Sequence, residues 1–148
     1  MHKYPGMAHV FSSAEREALL AEARVAVLSI GRGERPPLSV PIWYAYSAGG
    51  EVGLWMEADT AKARALAVSR CFTLVVHDEV RPYRYVSVSG PVIAMAPIDY
   101  ERELLPLIRR YLSGAEAEHY IASLGGPQGV ADNLFVRMRP SHWRAEQL

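Results

Sequence analysis

The sequence holds a single cysteine in 148 residues, no excess of either charge, no long apolar run and none of the strong catalytic signatures. Cys71 alone forms no intramolecular disulfide, and the run Arg70–Val76 around it reads as a buried strand, so a core thiol is expected there. Sixteen Lys and Arg balance sixteen Asp and Glu, which argues against a domain-wide electrostatic footprint for nucleic acid. No segment approaches the ~20 apolar residues that span a bilayer, and Met1–Met7 is not followed by an apolar stretch of secretory length. A cytoplasmic protein with no membrane partner is the expectation. The chain has no Cys-x-x-Cys, no His-Glu-x-x-His, no Gly-Lys-Ser or Gly-Lys-Thr phosphate loop and no Gly-x-Ser-x-Gly, so metal and triad chemistry have no support. His2, His9, His77, His119 and His142 lie far apart and lack metal-ligand spacing; they read as surface or core residues. No metal ligand and no catalytic side chain is assigned.

A chain of this length removes roughly 68% of its unfolded surface from water and supports one core. Half the residues are hydrophobic, enough to raise the prospect of a buried subunit interface. Ser12 or Ser13 caps a helix reaching about Ala23, with Glu15 and Glu17 at its positive end and Leu19 and Leu20 toward the core. Val25–Ile30 is β-rich and ends at Gly31-Arg32-Gly33. Leu38–Tyr46 follows as a longer strand, and Glu51–Glu57 as a third, so these three read as an antiparallel meander. Asp59 or Thr60 caps a short helix to about Arg70, with Ala61, Ala65, Leu66 and Val68 as its apolar face. Phe72–His77 is a fourth strand and Tyr83–Met95 a long fifth, bent at Gly90-Pro91. Asp99–Leu112 and Glu116–Leu124 form a helical pair, and Asp132–Met138 and His142–Glu146 finish as strands around Arg139-Pro140. The pattern predicts one domain over residues 1–148, mainly β with flanking helices, folded as a six- or seven-stranded antiparallel split β-barrel.

Three local features carry chemistry. Lys62 and Arg64 fall in the first turn of a helix, where the macrodipole is already positive; a phosphate there would reverse the sign, or Glu57 and Asp59 neutralise the pair at the surface. Pro41 interrupts the strand pattern of Leu38–Tyr46 and cannot donate to a ladder. It marks an edge or bulge that either leaves backbone groups for a flat ligand, such as the polar edge of an isoalloxazine ring, or simply blunts the edge. The turn Asp78–Tyr85 holds Arg81 and Arg84, which reach a ligand or pair with Asp78 and Glu79.

In order and spacing, Val25–Ile30, Pro37–Trp43, Lys62–Leu66, Phe72–Val76 and Pro82–Gly90 resemble the pyridoxamine 5′-phosphate oxidase-like flavin-binding split barrels, especially the actinobacterial branch that uses FMN or a deazaflavin coenzyme. The resemblance covers roughly residues 12 to 100. It implies that the strand of Ser39, Val40, Pro41, Ile42 and Trp43 runs along the isoalloxazine, and that the strand end and helix start from Glu57 and Ala58 through Thr60 and Lys62 receive the phosphate. Arg64 and Arg81 complete the candidate cofactor-binding set. It further implies a homodimer with a cofactor at each interface, and an oxidoreductase moving hydride to or from a small organic substrate. Ser141-His142-Trp143-Arg144 stands where the vitamin oxidase has a longer substrate-binding segment, so pyridoxamine phosphate is not the expected substrate. Trp43, Trp55 and Trp143 are candidates to frame ring or substrate. The rival classes are a non-catalytic protein that sequesters a flavin, haem or other flat ligand, and an oligonucleotide-binding barrel.

Overall fold

The computed structural model describes residues 11–148, so His2 and His9 lie outside the described residues. Helix α1 (Ser13–Ala21) opens with a capping box: Glu15 N–H donates to Ser12 Oγ at 3.2 Å, and Ser12 N–H to Glu15 Oε1 at 3.1 Å. It buries Leu19 and Leu20. Strand β1 (Ala26–Arg32) turns at Gly33, whose φ is +64°, into β2 (Arg35–Ile42).

The strand expected as one piece from Leu38 to Tyr46 breaks at Trp43. β2 pairs with β1, Val27 opposite Pro41, whereas β3 (Tyr44–Ala45) pairs with β4 (Val52–Glu57), Tyr44 opposite Leu54. The expected three-strand meander is therefore corrected: the third strand never meets the body of the second, because the chain changes sheets at Trp43. Pro41 has no N–H for a further neighbour, and it sits on an edge strand.

Strands β5 (Cys71–His77), β6 (Arg84–Pro97), β7 (Asn133–Met138) and β8 (His142–Gln147) complete two antiparallel sheets, ordered β2-β1-β5-β6-β8 and β6-β7-β4-β3. β6 belongs to both. Up to Ser89 it lies between β5 and β8, and from Val92 it pairs with β7 across a register shift. The bend expected at Gly90-Pro91 falls between these halves. A Cβ on Gly90 would stand 1.9 Å from the Arg139 carbonyl oxygen, so only glycine lets the corner close. With β6 at one corner and the β2–β3 break at another, the sheets curl around Leu20, Leu28, Tyr44, Leu54, Leu66, Leu74, Val88 and Met138, all fully buried. The result is an antiparallel split β-barrel with flanking helices.

Two burial expectations are overturned. Cys71 is exposed rather than a core thiol, because β5 begins there and strand alternation turns Phe72, Leu74 and Val76 inward instead. Helix α2 (Ala61–Ser69) packs on β1, β4 and β5 through Ala63 and Leu66, which leaves Ala61 exposed and Val68 87% exposed.

The helix expected over Asp99–Leu112 is divided. Asp99 caps a π-helical turn (Tyr100–Leu104), which runs into α3 (Leu105–Tyr111) at Pro106, a residue with no N–H to give. Helix α4 (Gly114–Ser123) and a short α5 (Gly126–Gly129) follow and share a small core of Leu104, Ile108 and Val130, with Trp55 and Tyr120 packed against it. Arg110 of α3 reaches back to α1. Its guanidinium donates to the carbonyls of Ala21 (3.0 Å), Glu22 (3.0 Å), Leu20 (3.4 Å) and Tyr46 (3.3 Å), placing a cation on the negative end of α1. The Tyr44 hydroxyl donates to the same Leu20 and Glu22 carbonyls at 2.7 and 2.8 Å, and burial pushes its pKa up to about 12, so it remains a donor.

Candidate functional site

β2 meets only β1, so every second residue along its outer edge turns its N–H and C=O away from the sheet. Ser39 and Pro41 are exposed, Val40 and Trp43 half-buried and Ile42 buried. The Ser39 hydroxyl lies 3.1 Å from that of Ser29. Trp43 stacks on Tyr111 with ring centroids 4.7 Å apart and planes within 3°. Tyr111 is itself fixed: its hydroxyl donates to the Arg24 carbonyl at 2.8 Å and accepts the Tyr44 N–H at 3.1 Å. The Trp55 indole N–H donates to Oδ1 of buried Asn133 at 2.6 Å. Pro41, Ile42, Trp43 and Trp55 join Val25 and Tyr120 around a cavity of about 370 Å³.

Trp143, the third aromatic candidate, is elsewhere. It faces α1, edge-on to Tyr46 at 6.3 Å and beneath the Arg16 guanidinium at 4.5 Å. Alternation along β8 leaves Arg144 exposed on the opposite face.

At the start of α2, Thr60 is the cap. Its hydroxyl accepts the Ala63 N–H at 3.3 Å and donates to the Glu57 carbonyl at 2.8 Å, so its proton is already committed. The Ala58 N–H is likewise bound, to the Asp132 carbonyl at 3.0 Å, and Glu57 is exposed at the end of β4, opposite Asn133. The amides of Ala61 and Lys62 have no intrahelical acceptor, as in any first turn. Arg64 pairs with Asp59 at 2.8 Å on the open surface, as the bland alternative had it. Lys62 has no ion-pair partner among the described residues.

Beside α2, the β1–β2 turn adds two cations that sequence reasoning missed. Arg32 and Arg35, with Arg64, Ala61, Ala65 and Val68, line a cavity of about 710 Å³. Nothing in the local sequence signals this, because the cavity exists only when α2 lies against the hairpin. β2 thus carries Arg35 at one end and Pro41 six residues on, about 20 Å away by strand rise.

The turn after β5 resolves toward pairing. Asp78, 9% exposed, takes Arg84 at 2.5 Å and Arg24 at 2.8 Å, and these guanidiniums hold its carboxyl below the usual range. Arg81 is exposed and lines neither cavity. Among the described residues no three His, Cys, Asp or Glu side chains gather to hold a metal, and no helix is long and apolar enough to cross a membrane.

No protein-family model and no curated protein matches the chain. Solved structures do. One named F420 reductase has 24% identity, covering 86% of this chain and 94% of its own, with a TM-score of 0.69. A conserved hypothetical protein from Mycobacterium tuberculosis has 21% identity, covering 93% and 86%, with a TM-score of 0.73. A FAD-binding protein from Mesorhizobium loti has 16% identity, covering 95% and 98%, with a TM-score of 0.62. Strand order and these likenesses agree on the fold: the chain is an antiparallel split β-barrel with flanking helices, the fold these structures share.

Proposed function

We propose that the chain is an FMN- or deazaflavin-dependent oxidoreductase, working as a cytoplasmic homodimer whose cofactor lies between the β2 edge and the start of α2. The observation that carries this is Lys62, a cation with no ion-pair partner among the described residues, set in the first turn of α2 beside two amides that lack intrahelical acceptors. An anion is the one partner that makes this placement favourable. Lys62 and the Ala61 and Lys62 amides would hold the phosphate, and Arg64 can join them, since its exposed pair with Asp59 is worth little. Arg32 and Arg35 add positive charge in the neighbouring cavity, which Ala61 and Arg64 also line. The open backbone groups of Ser39–Ile42 would meet the polar rim of the ring.

A bound flavin or deazaflavin supplies hydride transfer. The protein's own part is orientation and exclusion of water. Among the described residues the cavity at Trp43 and Trp55 has no carboxylate, lysine or histidine in its wall, and the Tyr120 phenol is its one hydroxyl. Dimerisation is supported by Val25, just before β1 and 62% exposed, and Val27 on β1, 41% exposed opposite the exposed Pro41, which leave an apolar strip uncovered in a single subunit.

Titration of the purified protein with FMN and with the deazaflavin coenzyme, followed by absorption, tests the proposal. A bound, spectrally shifted chromophore is expected for at least one, and light scattering should report a dimer. Retention of neither refutes the cofactor reading; a monomer that binds flavin tightly refutes the interfacial site.

A further inference from the structure

On the cofactor reading proposed above, we infer that Tyr120 determines substrate specificity, by donating a hydrogen bond from its phenol to an uncharged, planar substrate seated between Trp43 and Trp55. The cavity of about 370 Å³ has the size of a small-molecule site, and none of its six lining side chains carries a charge. A charged substrate would lose its hydration there with nothing to replace it. The walls are fixed in advance. Trp43 is stacked on Tyr111, and Trp55 is pinned by its indole N–H on Asn133, whose Nδ2 donates in turn to Asp132 at 2.8 Å. With that indole N–H consumed, the Tyr120 hydroxyl and the Trp43 indole N–H are the side-chain donors left in the wall. The Tyr120 ring lies 5.9 Å from that of Trp43, tilted by 42°, and its hydroxyl has no hydrogen-bond partner among the described residues. The helix that carries it is held by packing: Tyr120, Ile121 and Leu124 lie against the small core of Leu104, Ile108 and Val130. A half-buried phenol over two rigid aromatic walls selects a flat molecule with an acceptor at one edge.

Three probes of nearly equal shape separate the elements of this claim: 2-acetylnaphthalene, with an acceptor; 2-ethylnaphthalene, without one; and 2-naphthoate, with a charge. Each is titrated calorimetrically into the cofactor-loaded protein and into Tyr120→Phe. In the unmodified protein the acetyl compound should bind tightest and naphthoate weakest. Tyr120→Phe should weaken the acetyl compound roughly two- to ten-fold, as for one neutral hydrogen bond, and leave the ethyl compound unchanged. FMN affinity and melting temperature should not move, which separates this hypothesis from the cofactor reading. Equal affinity of both proteins for the acetyl compound, parallel losses for acetyl and ethyl probes, preference for naphthoate, or binding of no probe would each overturn it. Should FMN fail to bind while the acetyl probe still depends on Tyr120 in the unloaded protein, the cofactor reading fails and the specificity assignment stands.

Discussion

Replacing Lys62 by alanine separates a phosphate site from a solvated surface cation. In the empty protein Lys62 sits in the first turn of α2 with the positive end of the helix dipole, an arrangement that costs a few tenths to about 1 kcal/mol. Thr60 cannot absorb a phosphate without giving up its bond to the Glu57 carbonyl, and Arg64 must first leave Asp59. Lys62 is therefore the cation of this turn that meets the anion without first giving up another bond. A charge-assisted contact contributes about 1.5–3 kcal/mol, so Lys62→Ala should weaken FMN about ten- to a hundred-fold. Riboflavin, which lacks the phosphate, should bind the variant and the parent alike. The melting temperature of the empty protein should stay level or rise slightly, since the unfavourable dipole contact is gone. Flavin fluorescence titration measures both affinities. Equal loss of FMN and riboflavin, or loss of neither, would refute the assignment of the phosphate to this helix end. Arg64→Ala should show the same selectivity at smaller amplitude.

Asp78→Asn should lower the melting temperature at pH 7. The aspartate's depressed pKa means its stabilisation is present above the unfolded value of about 3.9 and is lost as pH falls through the folded value, so scans between pH 7 and 2 should show the gap closing below about pH 4. Gly90→Ala forces a Cβ toward the Arg139 carbonyl oxygen 1.9 Å away and should cost about 1–3 kcal/mol in denaturant unfolding, whereas Gly31→Ala, with nothing within 4 Å of the new atom, should change little. Arg110→Met strips a shared donor from four carbonyls and should cost about 3 kcal/mol or more, while Tyr44→Phe should cost about 1 kcal/mol because Arg110 still serves Leu20 and Glu22. Calorimetry would then show a fall of roughly 2–4 °C for Tyr44→Phe.

Local signals were legible where one residue type has one physical meaning. Ser12 with Glu15, Thr60 as a cap, Gly90-Pro91 as a bend and Pro41 as an edge marker are each decided by nearby backbone, and each is found in its place. What depended on distant neighbours was not. The burial of Cys71 could be read only from the register of β5, and the inward face of α2 only from the sheet it lies on. A two-residue strand such as β3 has no periodicity to detect, and the π-helical turn resembles the first turn of an ordinary helix. The candidate site divides along the same line. Pro41 and Lys62 announce themselves by breaking a local rule, whereas Trp43 became a candidate only through the resemblance. Arg32, Arg35 and Tyr120 obey every local rule and become candidates only because a hairpin, a helix and an aromatic wall meet in space.

The clasp of Arg110 on α1 bears on the order in which the molecule assembles. The carbonyls of Leu20 and Ala21 find this donor 90 and 89 residues further along the chain. A ribosome that has finished α1 has made neither Tyr44, which serves the Leu20 carbonyl, nor Arg110, the donor to the Ala21 carbonyl. Nor has it made α3, which brings that residue. Loop closure over such a span is paid late in folding, so α1 should gain its protection from hydrogen exchange only with the second half of the barrel. Helix α1, made well before α3, would be among the last elements to be locked.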